Sequence, residues 1–429
     1  MNAMEEHRKH AALKPRLGLW SATAISLGAT IGAGIFVVVG IVADFAGSAL
    51  LVSMVLAGVI AFFTAFSFAE LTAWKPVEGS IYQYTRQMVS PFAGFLTGWM
   101  WIVSNTFGGA TVALGFAYYF GSAIPGLPPN VVAAALCLGF TALNFVGIRQ
   151  SALLNNVLVA ANLAVLLFFV VFGFAKINAT NFLPFTPLSS GVLYGAFFIF
   201  FAYGGFARVA VIAEEVKDAK HTVPKAIMLS LAISMIIYIL VGIVAVGLVG
   251  SQVLAASNSP LTQAIGATGS SLAMQIVSVG GLVATAGVLL TSVLGVSRVA
   301  FSMARERDMP HIMCKLHSRF GTPFYSIWIV GGLMALMVLF VNLAHVAAIS
   351  TFALLFYYTF ANVCALRLKV ENRRYPRFVP VLGLGTCLAL LFVIVFANLQ
   401  AWVIGVACLG IGALVYAAKT RFKPKECEK

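Results

Sequence analysis

The chain has 429 residues, 61% of them hydrophobic and 9% charged, and carries a formal net charge of +14. A soluble domain has about a quarter charged residues and too little interior to hide this much apolar surface, so a water-soluble enzyme is excluded. The basic excess is spread over loops rather than gathered with interleaved aromatics on one domain, which excludes a nucleic-acid-binding module.

In chain order, residues 1–17 are polar, precede a long hydrophobic block and do not read as a cleaved signal peptide. Twelve apolar blocks follow, at 18–43, 48–74, 91–121, 131–147, 153–175, 190–213, 224–249, 272–304, 324–342, 345–368, 378–397 and 400–418. A helix needs about 20 residues to cross a hydrocarbon core roughly 30 Å thick, so the blocks read as transmembrane helices. A β-barrel would show alternating segments of about ten residues, which are not seen. The expected fold is therefore all-α transmembrane, with twelve helices. With the N-terminus in the cytoplasm, the clusters Arg8 to Arg16, Lys75 and Arg86, Arg149, Lys217 to Lys225, Arg305 to Arg319, Arg367 to Arg377, and the tail 419–429 all lie inside. Only Lys176 lies outside, and this bias places both termini in the cytoplasm. Arg208 and Arg298 fall within blocks.

The first block carries GATIGAGIF, Gly28 to Phe36, with three glycines in seven residues. Close packing through small residues is one reading. An interrupted helix is the sharper one, since each glycine weakens a helix interior by about 1 kcal/mol relative to alanine. Non-helical backbone at membrane depth is tolerated only where it faces a protein-lined or watery cavity. A phosphate cradle is excluded by context, because no strand precedes the stretch and no GK[ST] follows it. The sixth block repeats the pattern in FFAYGGFAR, with Gly204 and Gly205 between apolar halves. Matched breaks in the first helix of each set of five are the pattern of two inverted five-helix repeats, with the binding site between discontinuous helices 1 and 6.

A break presents unpaired N–H groups on the half that begins there and carbonyls on the half that ends there. The first helix is expected to end its inner half near Ser26 to Gly28 and to restart near Ile31 to Gly34, with the amides of Gly32, Ala33 and Gly34 holding a carboxylate. The sixth is expected to end its outer half near Phe200 to Tyr203, with carbonyls there accepting an ammonium group. Carboxylate and ammonium together describe an α-amino acid. The side-chain pocket is expected along Phe201, Ala202, Tyr203, Gly205 and Phe206, with Ser104, Asn105 and Thr106 of the third helix and Phe352 of the tenth. The six cysteines, with no CxxC pair, read as small apolar filler.

These residues resemble those of the amino acid, polyamine and organocation transporter superfamily, in particular its bacterial and archaeal amino acid permeases. Four stretches carry the resemblance: GATIGAGIF; EGSIYQYTRQMVSPFAGFLTGW, Glu78 to Trp99; FFAYGGFARVAVIAEEVKDAKHTVPKAI, Phe200 to Ile227; and LGVSRVAFSMARERDMP, Leu294 to Pro310. The resemblance implies a LeuT-like five-plus-five inverted-repeat core at 18–368 and two additional helices at 369–418. It also implies alternating access, with Phe201 as a gate over the substrate.

Three departures stand out. Asn162 occupies the place of a lysine that many proton-coupled members carry, and a neutral amide does not shuttle that proton. Thr291 and Ser292 form a hydroxyl pair in the eighth helix, which suggests a Na⁺ site with carbonyls near Gly28 and Ile31; the bland alternative is hydroxyls bonded back to their own helix. Arg208, inside a helix, is a functional candidate by default, paired with Glu70, Glu214 or Glu215 or facing the inner vestibule.

No filter or charge ring points to a channel, and no HExxH or GxSxG motif points to an intramembrane enzyme. The expectation is a secondary active transporter of amino acids in the plasma (inner) membrane, working by ion symport or exchange with Na⁺ or H⁺ and no other cofactor. Its partners are a small amino acid and the bilayer, with no nucleic acid. With no acidic residue placed at mid-depth, neutral amino acids are favoured over cationic ones, and a polyamine or other organocation is the alternative.

Overall fold

The computed structural model describes residues 15–421 apart from positions 16, 33, 78, 124–125, 147, 319, 341–342 and 371–372. In hydrocarbon every backbone N–H needs a partner within its own segment, and each apolar block has accordingly become a helix or a broken helix. The first block forms α1 (Leu19–Thr30), a π-helical stretch (Gly34–Val38) and α2 (Val39–Ala46). The next four are α3 (Leu50–Trp74), α5 (Pro91–Ala123), α6 (Pro129–Val146) and α7 (Ile148–Phe174), with a short α4 (Ile81–Met88) between α3 and α5. The sixth is split into α8 (Ser190–Tyr203) and a single turn, α9 (Arg208–Val211). The remainder are α10 (Ala219–Ala255), α12 (Ser271–Arg305), α13 (Phe324–Met337), α14 (Leu343–Arg367), α15 (Phe378–Ala397) and α16 (Leu399–Arg421), with a short α11 (Pro260–Gly266) after α10.

Nine of the helices among the described residues are long and apolar enough to cross a membrane; α8 and α13 are shorter apolar helices. Two differences from the expected blocks have local causes. Helix α10 runs past the expected end at 249, but Gly250, at φ 75°, breaks its regularity there. Helix α4 is amphipathic, burying Ile81, Tyr82, Tyr84 and Thr85, and no continuous apolar block announces it. The cysteine reading holds for Cys137, Cys364, Cys387 and Cys408, which are free.

The bundle has a centre and a rim. Helices α12 and α5 each bury 78% of their most apolar stretch and α14 buries 72%, against 22% for α6 and 17% for α16. The rim helices turn Leu153, Leu167, Val171, Phe392, Phe396 and Leu414 outward. A contiguous apolar exterior of this kind suits lipid and not water. Between helices, polar side chains bond across the packing, as is usual in membrane bundles: Ser67 donates to Asn362 Oδ1 at 2.7 Å, and Asn362 Nδ2 donates to Thr64.

Buried carboxylates near the helix ends are held by basic and phenolic partners. Asp308, whose side chain is fully buried, accepts from Tyr82 at 2.6 Å, from Arg86 at 2.8 Å and from Lys419. Burial beside Asp308 pushes the Tyr82 phenol far above its ordinary range, so it stays a donor. Glu215 pairs with Arg298 at 3.6 Å, both buried. Glu70 accepts from the Arg374 backbone N–H. Leu17 and Val216 form an isolated parallel bridge, Leu17 N–H donating to Glu215 and Lys217 N–H to Leu17. The entry to α1 is thereby tied to the exit of α9.

Candidate substrate site

The two broken helices meet backbone to backbone. A Cβ built on Gly205 would lie 2.2 Å from the carbonyl carbon of Ala29, and one on Gly34 would lie 2.2 Å from Cβ and 2.5 Å from Cα of Ala202. Only glycine permits either approach. The first break spans Ile31 and Gly32: Ile31 N–H closes α1 on Leu27, and the helix restarts at Gly34, with Ile35 and Phe36 N–H both on the Gly32 carbonyl. The second spans Gly204 to Ala207. The first helix therefore ends at Thr30, later than the expected Ser26 to Gly28, because glycine at 28 is carried inside a regular turn. Ala33 lies outside the described residues.

Side chains from distant helices hold the break carbonyls. The Tyr238 phenol of α10 donates to Thr30 at 2.7 Å and lies 3.1 Å from the Ala202 carbonyl. Tyr358 donates to Gly204 at 2.8 Å, Asn162 to Ile31 at 2.9 Å, and Ser26 to Phe206 at 2.9 Å. Tyr238 and Tyr358 were invisible to sequence reasoning, since nothing in α10 or α14 marks those phenols as reaching a break. Tyr238→Phe should lower the thermal midpoint, through a loss of roughly 1–3 kcal/mol for a buried acceptor left unpaired. An unchanged midpoint in a thermal-shift assay would show that water or a neighbour replaces the phenol.

Beside the junction lies a cavity of about 40 Å³, measured as space open to the centre of a water-sized sphere. One water needs roughly 10–15 Å³ on that measure, so the cavity has room for only a few waters. Gly34, Phe201, Ala202 and Gly205 line it from the breaks, Ser104 and Asn105 from α5, Ser292 from α12, Ser350 from α14, and Arg208 from α9. Ser104 and Ser350 bond to each other's carbonyls at 2.8 and 2.6 Å. Two expected wall residues turn elsewhere. Tyr203 donates to Met54 and packs on Tyr238, and Phe206 packs on Phe68 and Tyr358. Ser26, Gly28, Ile31, Gly32, Thr106 and Phe352 also stand outside the lining. Thr291 donates to Gly287 and Val288 of its own helix, and no group of three or more histidine, cysteine or acidic side chains could hold a metal among the described residues.

Arg208 lacks the carboxylate partner that one of its two readings expected. None of Glu70, Glu214 or Glu215 is its ion-pair partner among the described residues; Glu70 and Glu215 are engaged by Arg374 and Arg298. Arg208 Nη2 donates to Asn105 Oδ1 at 2.5 Å, and its guanidinium lies over the Trp101 ring at 5.1 Å. The sequence signal for this is Gly295, where a Cβ would lie 2.1 Å from Arg208 Nη1.

A family model described as "Amino acid permease" matches residues 17–418. The chain belongs to that family. This permease is a transporter and not an enzyme, and its apolar helices make it a multi-pass membrane protein. It is 36% identical over 410 residues to an uncharacterized transporter of Mycobacterium tuberculosis, covering 95% of this chain and 92% of the relative. A methylthioribose transporter of Bacillus subtilis is 29% identical over 98% of this chain and 96% of its own length. The branched-chain amino acid permease BcaP of the same organism is 29% identical over 96% and 94%.

Proposed function

We propose that this permease is a secondary active transporter that moves amino acids without net positive charge, the neutral ones among them, across the plasma membrane by alternating access. The observation that carries this reading is the small cavity at the point where two broken helices touch, backed by family membership. In this reading the amides of Gly32 to Gly34 hold the α-carboxylate, carbonyls at the end of α8 face the ammonium group, and Phe201 closes over the substrate. Residues 18–368 form the inverted-repeat core, 369–418 add two helices, and both termini, including the basic tail 419–429, are cytoplasmic.

Relatives are named for branched-chain amino acids and for methylthioribose, and others, of Arabidopsis thaliana at 29–31% identity, for cationic amino acids, so the proposed charge preference rests on the cavity. A polyamine would need anionic partners, and no acidic residue lines the cavity among the described residues. Coupling to Na⁺ through Thr291 and Ser292 is the companion proposal. Against it, Asn162 already occupies the Ile31 carbonyl and the Thr291 hydroxyl bonds to its own helix. For it, Ser292 lines the cavity and hydroxyl oxygens keep lone pairs for a cation.

Counterflow of the twenty amino acids into liposomes holding the purified protein, with sodium or with choline at fixed potential, tests both. Saturable exchange of at least one amino acid is the expected result, and its absence for all twenty would overturn the carrier reading. Exchange and uptake identical in choline would remove the Na⁺ proposal alone.

A further inference from the structure

Among the described residues, Arg208 lines the substrate cavity without a carboxylate beside it. Its residue is 7% exposed, and Nη1 has no hydrogen-bond partner. A buried arginine inside a membrane helix is retained at considerable cost unless it is paired or used. The surroundings are built for it: Gly295 leaves the space, Trp101 offers a ring face at 5.1 Å, and Asn105 accepts at 2.5 Å. Asn105 is itself committed, its Nδ2 donating to the Trp101 carbonyl, and Ser104 and Ser350 donate to each other's carbonyls. The three buried carboxylates also have partners elsewhere: Glu70 with Arg374, Glu215 with Arg298, and Asp308 with Tyr82, Arg86 and Lys419. Arg208 thus brings to the cavity wall one positive charge in excess, and its Nη1, packed at Gly295, has no hydrogen-bond partner.

We infer that Arg208 recognises a second carboxylate, on the substrate side chain, and that the permease takes acidic amino acids in preference to their neutral amides. The inference rests on the amino acid carrier reading and deepens it. An α-amino acid with its own carboxylate and ammonium groups at the breaks is electrically balanced there, which leaves the guanidinium unmatched. A side-chain carboxylate is planar and has two acceptor oxygens, which suits the fork of a guanidinium. The cation over Trp101 also repels a cationic side chain, so lysine and arginine are poor substrates.

The test is counterflow in proteoliposomes of the full chain, comparing L-glutamate with L-glutamine and L-aspartate with L-asparagine, pairs that differ in charge but little in shape. The wild type is expected to exchange one acid at least tenfold faster than its amide. In Arg208→Gln that acid-to-amide ratio should fall toward one. Asn105→Asp places a carboxylate against Arg208 and should lower the same ratio even if Arg208→Gln does not fold. Amide exchange with no acid exchange in the wild type would overturn the inference and leave the amino acid carrier standing. A ratio unchanged in folded Arg208→Gln or in Asn105→Asp would overturn it as well. No exchange of any amino acid would sink both readings together.

Discussion

Gly205→Ala is expected to abolish exchange and to lower the thermal midpoint, while Gly28→Ala is expected to leave a measurable fraction of both. Each change adds one methyl group, and each new Cβ would come within 2.2 Å of a heavy atom, so distance alone does not separate them. The neighbour does. At Gly205 the three nearest atoms are all backbone, the Ala29 carbonyl group and the Thr30 nitrogen. At Gly28 the nearest is Asn155 Oδ1, the end of a side chain, which has no hydrogen-bond partner of its own. Overpacking a core costs about 1–3 kcal/mol where side chains can shift, so Gly205→Ala, where none can, belongs at or above the upper end. It also pries the two breaks apart at the cavity wall. Equal loss of exchange in the two variants, measured as counterflow per folded protein, would show that the close approach at Gly205 has no special role.

Asp308→Asn is the second large effect, and it concerns stability. The carboxylate, in the segment after α12, is fully buried and holds a phenol and two cations from two other elements, α4 and α16. Removing one partner of a buried charge network costs roughly 3–5 kcal/mol, because charges remain behind without compensation. Arg86 and Lys419 keep 25% and 21% of their side chains exposed, so water relieves part of that and the lower end is expected. Lys419→Met should cost less, since Arg86 and Tyr82 still hold Asp308. Glu306→Gln should cost less than about 1 kcal/mol, since its ion pair with Arg86 is 3.6 Å long and 40% exposed on the glutamate side. The order of thermal midpoints, wild type and Glu306→Gln highest and Asp308→Asn lowest, checks the argument; a midpoint for Asp308→Asn near that of wild type would refute it.

Helix positions and the two breaks were legible because hydrocarbon imposes a simple code: long apolar runs must be helical, and clustered glycines within them are costly unless used. The code says nothing about rotation. Tyr203 and Phe206 sit beside a break in sequence, yet α8 and the turn after it aim them at Met54 and Tyr358. Arg208 was legible as a functional candidate but not in its partner. Charge alone pointed to glutamates, while packing placed Asn105 and Trp101 next to it and used the glutamates elsewhere. Helix α4 was missed for a different reason: its apolar face is short and interrupted by Gln83 and Arg86, so it carries no transmembrane signal.

The bridge between Leu17 and Val216 bears on how the chain is made. The first helix leaves the ribosome and enters the bilayer long before Val216 exists, and the Ala202 and Gly205 backbone that later presses on Gly34 and Ala29 is equally absent. During that interval nothing from the second half of the chain is present to shape GATIGAG, and a continuous helix satisfies more of its backbone in lipid than an open break does. On this argument the interruption is a product of assembly: it is expected to open when the sixth segment docks and supplies Ala202, Gly205 and the residue-216 edge, with the nascent first helix inserting as an ordinary span and acquiring its binding character afterwards.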